Sequence, residues 1–258
     1  MEPIRSRANA RLKAARKLQS KRNRLAAGLF LAEGEDIVEE GLDAGILPAE
    51  TFLAAGREPA PELVSRLARG GPVHAVEPEL LAELGSLGHP ARVICTFAIA
   101  DLPARAADAD LGVHLHRVID PGNVGTVVRA AGALGPAFLS LSPGCSDPLS
   151  AKGVRASMGA VFRVPIEHAQ VPPAGPARRV ALVADAADPL WTVDLRGPVL
   201  LVVGAERLGL PPQLVAECEA VAAIPQAAGA ESLNAAAAAT VALYEAVRQR
   251  DAAPSSHH

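Results

Sequence analysis

Short continuous apolar runs alternate along this chain with longer segments whose apolar positions follow a helical repeat. In the first hundred residues the apolar runs predict strands at 28–32, 51–54, 73–76 and 92–99. The segments around them predict helices at 8–20, 35–44, 61–67 and 80–84. The helical repeat is clearest where Ile37, Val38 and Leu42 share one face and Gly45 follows as a stop. This alternation predicts a small α/β domain.

The second half of the chain alternates in the same way. Strands are predicted at 113–119, 137–141, 179–184, 199–203 and 221–224, and helices at 124–134, 152–159, 211–218 and 235–248. The uninterrupted apolar strand at 199–203 is typical of the centre of a parallel sheet. We therefore predict a doubly wound α/β domain, with its ligand site at the carboxyl ends of the strands.

A polar, alanine-rich and aperiodic segment near residue 105 separates these two halves. We predict that residues 1–103 form a basic arm and a small α/β domain, that 104–111 form a linker, and that 112–252 form the second domain. At 258 residues the chain has room for two modest domains, and its 50% hydrophobic content is ample for their cores.

Composition narrows the class of protein. No run of eighteen apolar residues predicts a membrane span, and no apolar segment follows the basic N-terminus as in a secretory signal. The three cysteines, Cys95, Cys145 and Cys218, are scattered, which argues against a disulfide framework or a zinc site. His114 and His116 lack partners at metal-ligand spacing. We expect a cytoplasmic protein without a metal.

Charge is spread unevenly over the chain. Residues 1–25 contain nine Lys or Arg and one acidic residue, a net charge of +8, whereas the remainder carries −11. This segment is either a solvated helix face or a phosphate-binding arm, and charge alone does not decide between them. If it is such an arm, the candidate contacts with nucleic-acid phosphate are Arg11, Arg16, Lys17, Lys21, Arg22 and Arg24.

Three short motifs in the second half carry candidate chemistry. The first, Asn123-x-Gly125-x-x-x-Arg129, follows a predicted strand and opens a helix. We predict that Asn123 lies in the loop, although Asn123 or Thr126 also suits a simple N-cap. Arg129 stands among apolar residues, so it either forms a salt bridge or points into a cleft or across an interface. A GxGxxG or GxxxxGK[ST] pattern is missing, so a dinucleotide or triphosphate site is disfavoured.

The second and third motifs lie about twenty residues apart. Gly204-x-Glu206-x-x-Gly209 follows the apolar strand, and Ile224-Pro is followed by Ser232-Leu233-Asn234 at the start of an alanine-rich helix. Both loops follow strands, so we expect them to form one pocket. The structural alternative is that Glu206 accepts from amides of its own loop and that Ser232 or Asn234 caps the helix.

In this order and spacing the three motifs resemble those of the SpoU (TrmH) family of RNA 2′-O-methyltransferases in the SPOUT superfamily. The resemblance covers about residues 112–250. The first hundred residues look like the family's frequent N-terminal extension, which resembles a ribosomal RNA-binding protein. A trefoil-knotted methyltransferase domain is implied, as is a homodimer with the active site at its interface, where Arg129 of one subunit faces cofactor held by the other.

The resemblance also implies roles for individual residues. S-adenosylmethionine would be held near Gly204, Ile224 and Leu233, with Ala184 and Gly209 as further contacts. One departure is Gln226, where the family usually has an apolar residue. Of the candidate catalytic residues, Arg129 would bind RNA phosphate and stabilise developing alkoxide charge, because a guanidinium rarely gives up its proton. The other candidates would orient the ribose or brace the site, and they are Asn123, Glu206, Ser232 and Asn234.

The predicted function is methyl transfer from S-adenosylmethionine to a ribose 2′-OH of structured RNA, with ribosomal RNA favoured. A tRNA 2′-O-methyltransferase and a non-catalytic RNA-binding homologue are the alternatives. A base nitrogen as methyl acceptor is disfavoured by Asn123 and Arg129 together.

Overall fold

A computed structural model describes residues 2–85, 91–173, 177–206, 208–227 and 232–252 of the chain. The chain divides into two compact units. We call residues 1–102 with 147–163 the amino-terminal unit, and residues 103–146 with 164–258 the carboxy-terminal unit. Residues 147–163, which the sequence assigns to the second domain, are thus part of the first unit.

The amino-terminal unit is built on a mixed sheet of four strands. In chain order the strands are β1 (Leu29–Glu33), β2 (Glu50–Ala54), β3 (Val73–Val76) and β4 (Val93–Ala98). Their spatial order is β1-β4-β2-β3, with β4 antiparallel to both neighbours and β2 parallel to β3. The helices are α1 (Ala10–Lys17), α2 (Lys21–Ala27), α3 (Glu35–Asp43), α4 (Pro61–Leu67) and α5 (Pro78–Ala82), with α7 (Ala151–Ala156) added from later in the chain.

The helix predicted at 8–20 is confirmed but is shorter, and a second helix follows it at once. α1 ends at Lys17, and Ser20 has an extended backbone before α2 begins. The carbonyl groups left over at the end of α1 are satisfied by Arg24, whose Nη1 donates to Leu18 O at 2.7 Å and Gln19 O at 3.0 Å. A side chain six residues away therefore stabilises this break in the helix.

Residues 147–163 contribute directly to the core of the amino-terminal unit. α7 packs against β1. Phe162 is 2% exposed, and its ring centroid lies 4.7 Å from that of Phe97 and 5.6 Å from that of Phe30. Arg24 donates to Asp147 at 2.6 Å, and both side chains are largely buried. An aromatic cluster and a buried ion pair thus tie this segment to the first unit.

The carboxy-terminal unit confirms the predicted parallel α/β domain. Its strands are β5 (Leu111–His116), β6 (Phe138–Leu141), β7 (Ile166–His168), β8 (Arg178–Leu182), β9 (Val199–Gly204) and β10 (Ala220–Ala222). All neighbours are parallel, in the order β10-β8-β9-β5-β6-β7. Its helices are α6 (Pro121–Leu134), α8 (Pro212–Ala216) and α9 (Ala235–Asp251). The trefoil knot implied by the family resemblance stays a prediction.

Helices α6 and α9 pack against each other, and α9 also contacts β9. The alanine-rich sequence of α9 makes this possible, because small side chains let two helix backbones approach closely. Ala239, Ala242 and Ala246 of α9 are fully buried, as are Val127 and Val128 of α6. This packing fixes the first turn of each helix at the same edge of the sheet.

Candidate functional site

The carboxyl ends of three neighbouring strands meet at one edge of the sheet. Leu182 of β8 pairs with Val203 of β9 on one side and with Ala222 of β10 on the other. The three strands therefore end at the same level, and the loops that follow them lie side by side. This is the edge at which ligands bind in parallel α/β sheets.

A cavity of about 200 Å³ opens at this edge. Strand ends, the two glycine-bearing loops and the start of α9 line it, through Leu182, Val183, Ala184, Val203, Gly204, Ala205, Glu206, Gly209, Ile224, Gln226, Ser232, Leu233, Ala235 and Ala238. The lining contains all five predicted cofactor contacts, together with Glu206 and Ser232. Leu182, Val183, Ala235 and Ala238 were missed, because their sequence signal is that of any buried strand or helix.

The glycines of the second motif shape the loop after β9. A Cβ atom on Gly204 would lie 2.3 Å from the carbonyl carbon of Gly209, so a side chain there is excluded. Gly209 has φ +63° and donates its N–H to Ala205 O at 2.9 Å. The loop therefore folds back onto the end of its own strand, and this turn holds Glu206 at the cavity.

Hydrogen bonds join all three motifs in a chain. Asn123 Nδ2 donates to Glu206 Oε1, and Asn123 Oδ1 accepts from Asn234 Nδ2 at 2.9 Å. Asn234 in turn caps α9, since its Oδ1 accepts from the N–H groups of Ala236 at 2.8 Å and Ala237 at 3.3 Å. Because both polar atoms of the Asn123 amide are engaged, its orientation is fixed.

The prediction that Asn123 lies in a loop is wrong. Pro121 begins α6, and Asn123 occupies its first turn. The N-cap is Asp120, whose side chain accepts from the N–H groups of Gly122 at 2.6 Å and Asn123 at 3.3 Å. With Asp120 as cap, the Asn123 side chain is free to reach Glu206.

Arg129 lies apart from the cavity. It is exposed on α6, between the buried Val128 and Ala130. Within the described residues it has no ion pair, and Glu206 bonds to Asn123 instead of to Arg129. The site thus assembles Asn123, Glu206 and Asn234 within one chain and leaves Arg129 facing outward.

The six candidate RNA contacts have different surroundings in the structure. Arg24 is 3% exposed and fully engaged by the protein, so it is not available to RNA. Arg11 pairs with Glu50 at 2.8 Å, and Arg16 with Glu83 at 3.1 Å. The other three are exposed and form no ion pair with a described residue, and they are Lys17, Lys21 and Arg22.

Other ionisable groups in the carboxy-terminal unit are not at the cavity. His114 is fully buried, burial lowers its pKa to about 4, and its Nδ1 lies 3.0 Å from Ser140 Oγ. Burial raises the pKa of the Cys218 thiol, so this cysteine is a poor nucleophile. In the described parts of the chain, no group of three His, Cys, Asp or Glu side chains is arranged to hold a metal ion. No helix in those parts is long and apolar enough to cross a membrane.

The fold and the cavity define a two-part protein: an α/β domain that holds a small ligand at the carboxyl edge of a parallel sheet, and a separate mixed-sheet domain. Residues 110–244 match the SpoU rRNA Methylase family, and residues 9–95 match the MRM3-like substrate binding domain. The chain belongs to the SpoU (TrmH) family of RNA methyltransferases, which confirms the resemblance noted in the sequence.

Similar proteins extend over nearly the whole chain. The 23S rRNA (uridine(2479)-2′-O)-methyltransferase of Streptomyces viridochromogenes is 35% identical, over 94% of this chain and 91% of its own. The 23S rRNA (guanosine(2553)-2′-O)-methyltransferase of Bacillus subtilis is 26% identical, over 95% and 98%. The crystal structure of the SpoU methyltransferase AviRb from S. viridochromogenes, in complex with the cofactor AdoMet, has a TM-score of 0.83 at 30% identity, over 95% and 99%.

Proposed function

We propose that this protein transfers a methyl group from S-adenosylmethionine to a ribose 2′-OH of large-subunit ribosomal RNA, a reaction that takes place in the cytoplasm. The observation that carries the proposal is the hydrogen-bonded chain from Glu206 through Asn123 to Asn234, which joins the three family motifs beside one cavity. The two named relatives act on 23S rRNA at different nucleotides, so they support the RNA class and leave the nucleotide open.

The cavity suits S-adenosylmethionine in its chemistry. Its lining is mostly apolar, which suits a purine ring, and backbone groups at strand ends would form hydrogen bonds with the ribose. Among the described lining residues, Glu206 is the ionisable one, and its negative charge favours a cationic ligand nearby. Gln226 at the lining adds an amide where the family usually has an apolar side chain. The bound cofactor supplies the electrophilic methyl group.

The residues of the chain would then align the acceptor hydroxyl. Asn123 and Asn234, which hold each other in a fixed orientation, set the position of the ribose together with Ser232. Glu206 fixes the Asn123 amide and thereby braces the whole group. Arg129 stabilises negative charge that develops on the 2′-oxygen and binds the neighbouring phosphate, as a permanently protonated guanidinium does well.

Arg129 would perform this role in a homodimer. It is exposed and lies outside the cavity of its own chain. The adjacent helix α9 exposes two large side chains, with Val241 41% and Tyr244 57% exposed. A second copy of the chain would cover these side chains and bring Arg129 to the partner's cofactor.

The amino-terminal unit would hold the RNA through the cations left free in α1 and α2. Three cations there are exposed and have no ion pair with a described residue, namely Lys17, Lys21 and Arg22. They can therefore bind phosphate without breaking an ion pair inside the protein. Arg11 and Arg16 contribute less, because their charges are already partly compensated by Glu50 and Glu83.

The reaction is tested with 23S rRNA transcript, labelled S-adenosylmethionine and mapping of 2′-O-methyl sites. We expect one methylated ribose with the wild type, and a loss of about 10²- to 10³-fold in kcat for Arg129→Ala. Calorimetry should show unchanged cofactor affinity for that variant. Arg196→Ala is the matched control, since this exposed arginine precedes the opposite end of β9 and pairs only with Asp194 among the described residues.

Three outcomes would contradict the proposal. Methylation of tRNA but not rRNA transcript would favour the first alternative, and cofactor binding too weak to measure would favour a non-catalytic RNA-binding protein. Near-normal turnover of Arg129→Ala would refute the role of that residue.

The shared active site is tested by mixing two inactive variants. Ala184→Trp fills the cavity and Arg129→Ala removes the guanidinium, so each homodimer should be inactive. Randomly mixed dimers should recover about a quarter of wild-type activity, because half of them contain one complete site. No recovery would mean that each chain uses its own Arg129.

A further inference from the structure

Arg117, directly after β5, has an unusual backbone. Its φ is +56°, and among the described residues only Arg117 and Met158 are non-glycine residues with positive φ. A side chain with a Cβ atom is strained in this left-handed region, whereas glycine adopts it freely. An arginine at such a position is retained at a cost in stability, which points to a use for its side chain.

A compact set of hydrogen bonds holds this conformation. The N–H of Arg117 donates to Ser142 Oγ at 2.9 Å. The loop after β6 is attached to the loop after β5, since Ser142 N donates to Leu115 O at 3.0 Å and Ser146 N donates to Val118 O at 2.9 Å. Arg117 is therefore presented from a rigid support rather than from a free loop.

The register of the sheet places Arg117 at the edge that carries the cavity. His116 of β5 pairs with Gly204 of the adjacent strand β9. Arg117 thus comes one residue past the level of Gly204, where the cavity loop begins, and three residues before Asp120, which caps α6. It lies on the side of β5 that faces away from the cavity loop, since its Cγ and Nε lie within 4 Å of where a Cβ on Gly144 would be.

The charge of Arg117 is not neutralised inside the protein. The side chain is exposed and forms no ion pair with any residue that the structure describes. Gly144 beneath it offers no side chain. The positive charge also acts on the neighbouring His116. Burial and the adjacent Arg117 together lower the pKa of this histidine.

We infer that Arg117 binds a phosphate of the RNA strand next to the ribose that is methylated, and so positions the acceptor nucleotide. The inference rests on the proposed function. A rigidly held guanidinium without an internal partner presents its donors in a fork that matches phosphate oxygens. It stands at the sheet edge that carries the cavity, three residues before the cap of the helix that holds Asn123, and it does not line the cofactor cavity, so RNA and not S-adenosylmethionine is its ligand.

Two variants separate charge from backbone strain. Arg117→Gly removes the charge and relieves the strain, and Arg117→Lys keeps both. For Arg117→Gly we expect KM for 23S rRNA transcript to rise about tenfold, with kcat within about twofold of wild type. The salt dependence of RNA affinity should become less steep by about one in the log–log slope. The melting temperature should not fall, cofactor affinity should not change, and Arg117→Lys should stay within about threefold of the wild-type KM.

Unchanged KM and unchanged salt dependence in Arg117→Gly, relative to the Arg196→Ala control, would overturn the inference. So would a loss of cofactor affinity or of dimer, because either would place the guanidinium against a different partner. If the wild type binds rRNA without methylating it, the proposed function fails, and the RNA affinities of wild type and Arg117→Gly still decide the role of Arg117.

Discussion

Replacing Phe162 by alanine should destabilise the amino-terminal unit, although residue 162 falls within the part of the sequence that matches the methylase family. Phe162 is 2% exposed, and its ring contacts the rings of Phe30 and Phe97, which also contact each other. Its ring also lies against helix α3, because a Cβ on Gly41 would be 3.0 Å from its Cζ. Truncation to alanine therefore opens a cavity between the sheet and a helix.

The size of the effect follows from this environment. Removal of a buried phenylalanine costs about 3–5 kcal/mol, which includes the cavity that remains. Each ring contact is worth about 0.5–1.5 kcal/mol beyond the buried area, and two such contacts are lost. Even the lower end, about 3 kcal/mol, is a large fraction of the roughly 5–15 kcal/mol that stabilises a domain.

Amide hydrogen exchange followed by mass spectrometry would locate the loss. Opening of β1 and β4 should become about 10²-fold more frequent in Phe162→Ala, as about 3 kcal/mol requires, while β5 and β9 keep their protection. Phe138→Ala is the reciprocal variant, since Phe138 is equally buried but packs against Gly112 and under the guanidinium of Arg105 in the other unit. Faster exchange of β5 and β6 instead of β1 and β4 in Phe162→Ala would refute the assignment of residues 147–163 to the amino-terminal unit.

Three further predictions concern the carboxy-terminal unit. Gly204→Ala should abolish cofactor binding in calorimetry, because its Cβ would displace the Gly209 backbone; normal affinity would show that the turn adapts. Asn123→Ala should lower kcat, because alanine breaks the link to Asn234. Asn123→Asp should lower the melting temperature, because aspartate sets a second carboxylate against Glu206. Equal behaviour of both variants in kcat and in melting temperature would contradict a positioning role for Asn123. Burial lowers the pKa of His114 from 6.5 to about 4 on folding, so protonation of the unfolded chain should cost about 3 kcal/mol of stability between pH 6.5 and pH 4. His114→Gln should flatten this part of the pH profile of the unfolding free energy measured in urea. An unchanged slope would show that His114 is not the group responsible.

The sequence predicted best those elements whose local pattern and tertiary role agree. The helix at 61–67 and the strand at 73–76 are confirmed residue for residue. The apolar strand at 199–203 is central in the sheet and buried on both faces. The missed strand β7 shows the converse, because it has three residues and lies at the edge of the sheet, where burial imposes little pattern on the sequence.

Loop positions at the site were predictable, but the bonds between them were not. Glycines after β9 and polar residues before α9 indicated a pocket, and the cavity lies there. The bond from Asn123 to Asn234 depends on the packing of α6 against α9, which brings together residues 111 positions apart, and Glu206 is 83 positions from Asn123. Local sequence contains no signal of that kind and indicates only a loop or cap residue at Asn123. Arg207 and residues 228–231 of the same motifs lie outside the described residues.

Charge counting treats all arginines alike, and two of them show why that fails for RNA recognition. Arg24 belongs to the basic segment that supplies the candidate RNA contacts, yet its guanidinium is bound by Asp147 and by the carbonyl groups at the end of α1. Arg117 belongs to no basic cluster, yet it is exposed without an ion pair among the described residues and held in a strained conformation. Buried charges must be paired within the protein, whereas a charge that meets a ligand must be left unpaired and held in place. The internal pairing of each cation, and not the local density of positive charge, is therefore what we use to predict which of them bind RNA.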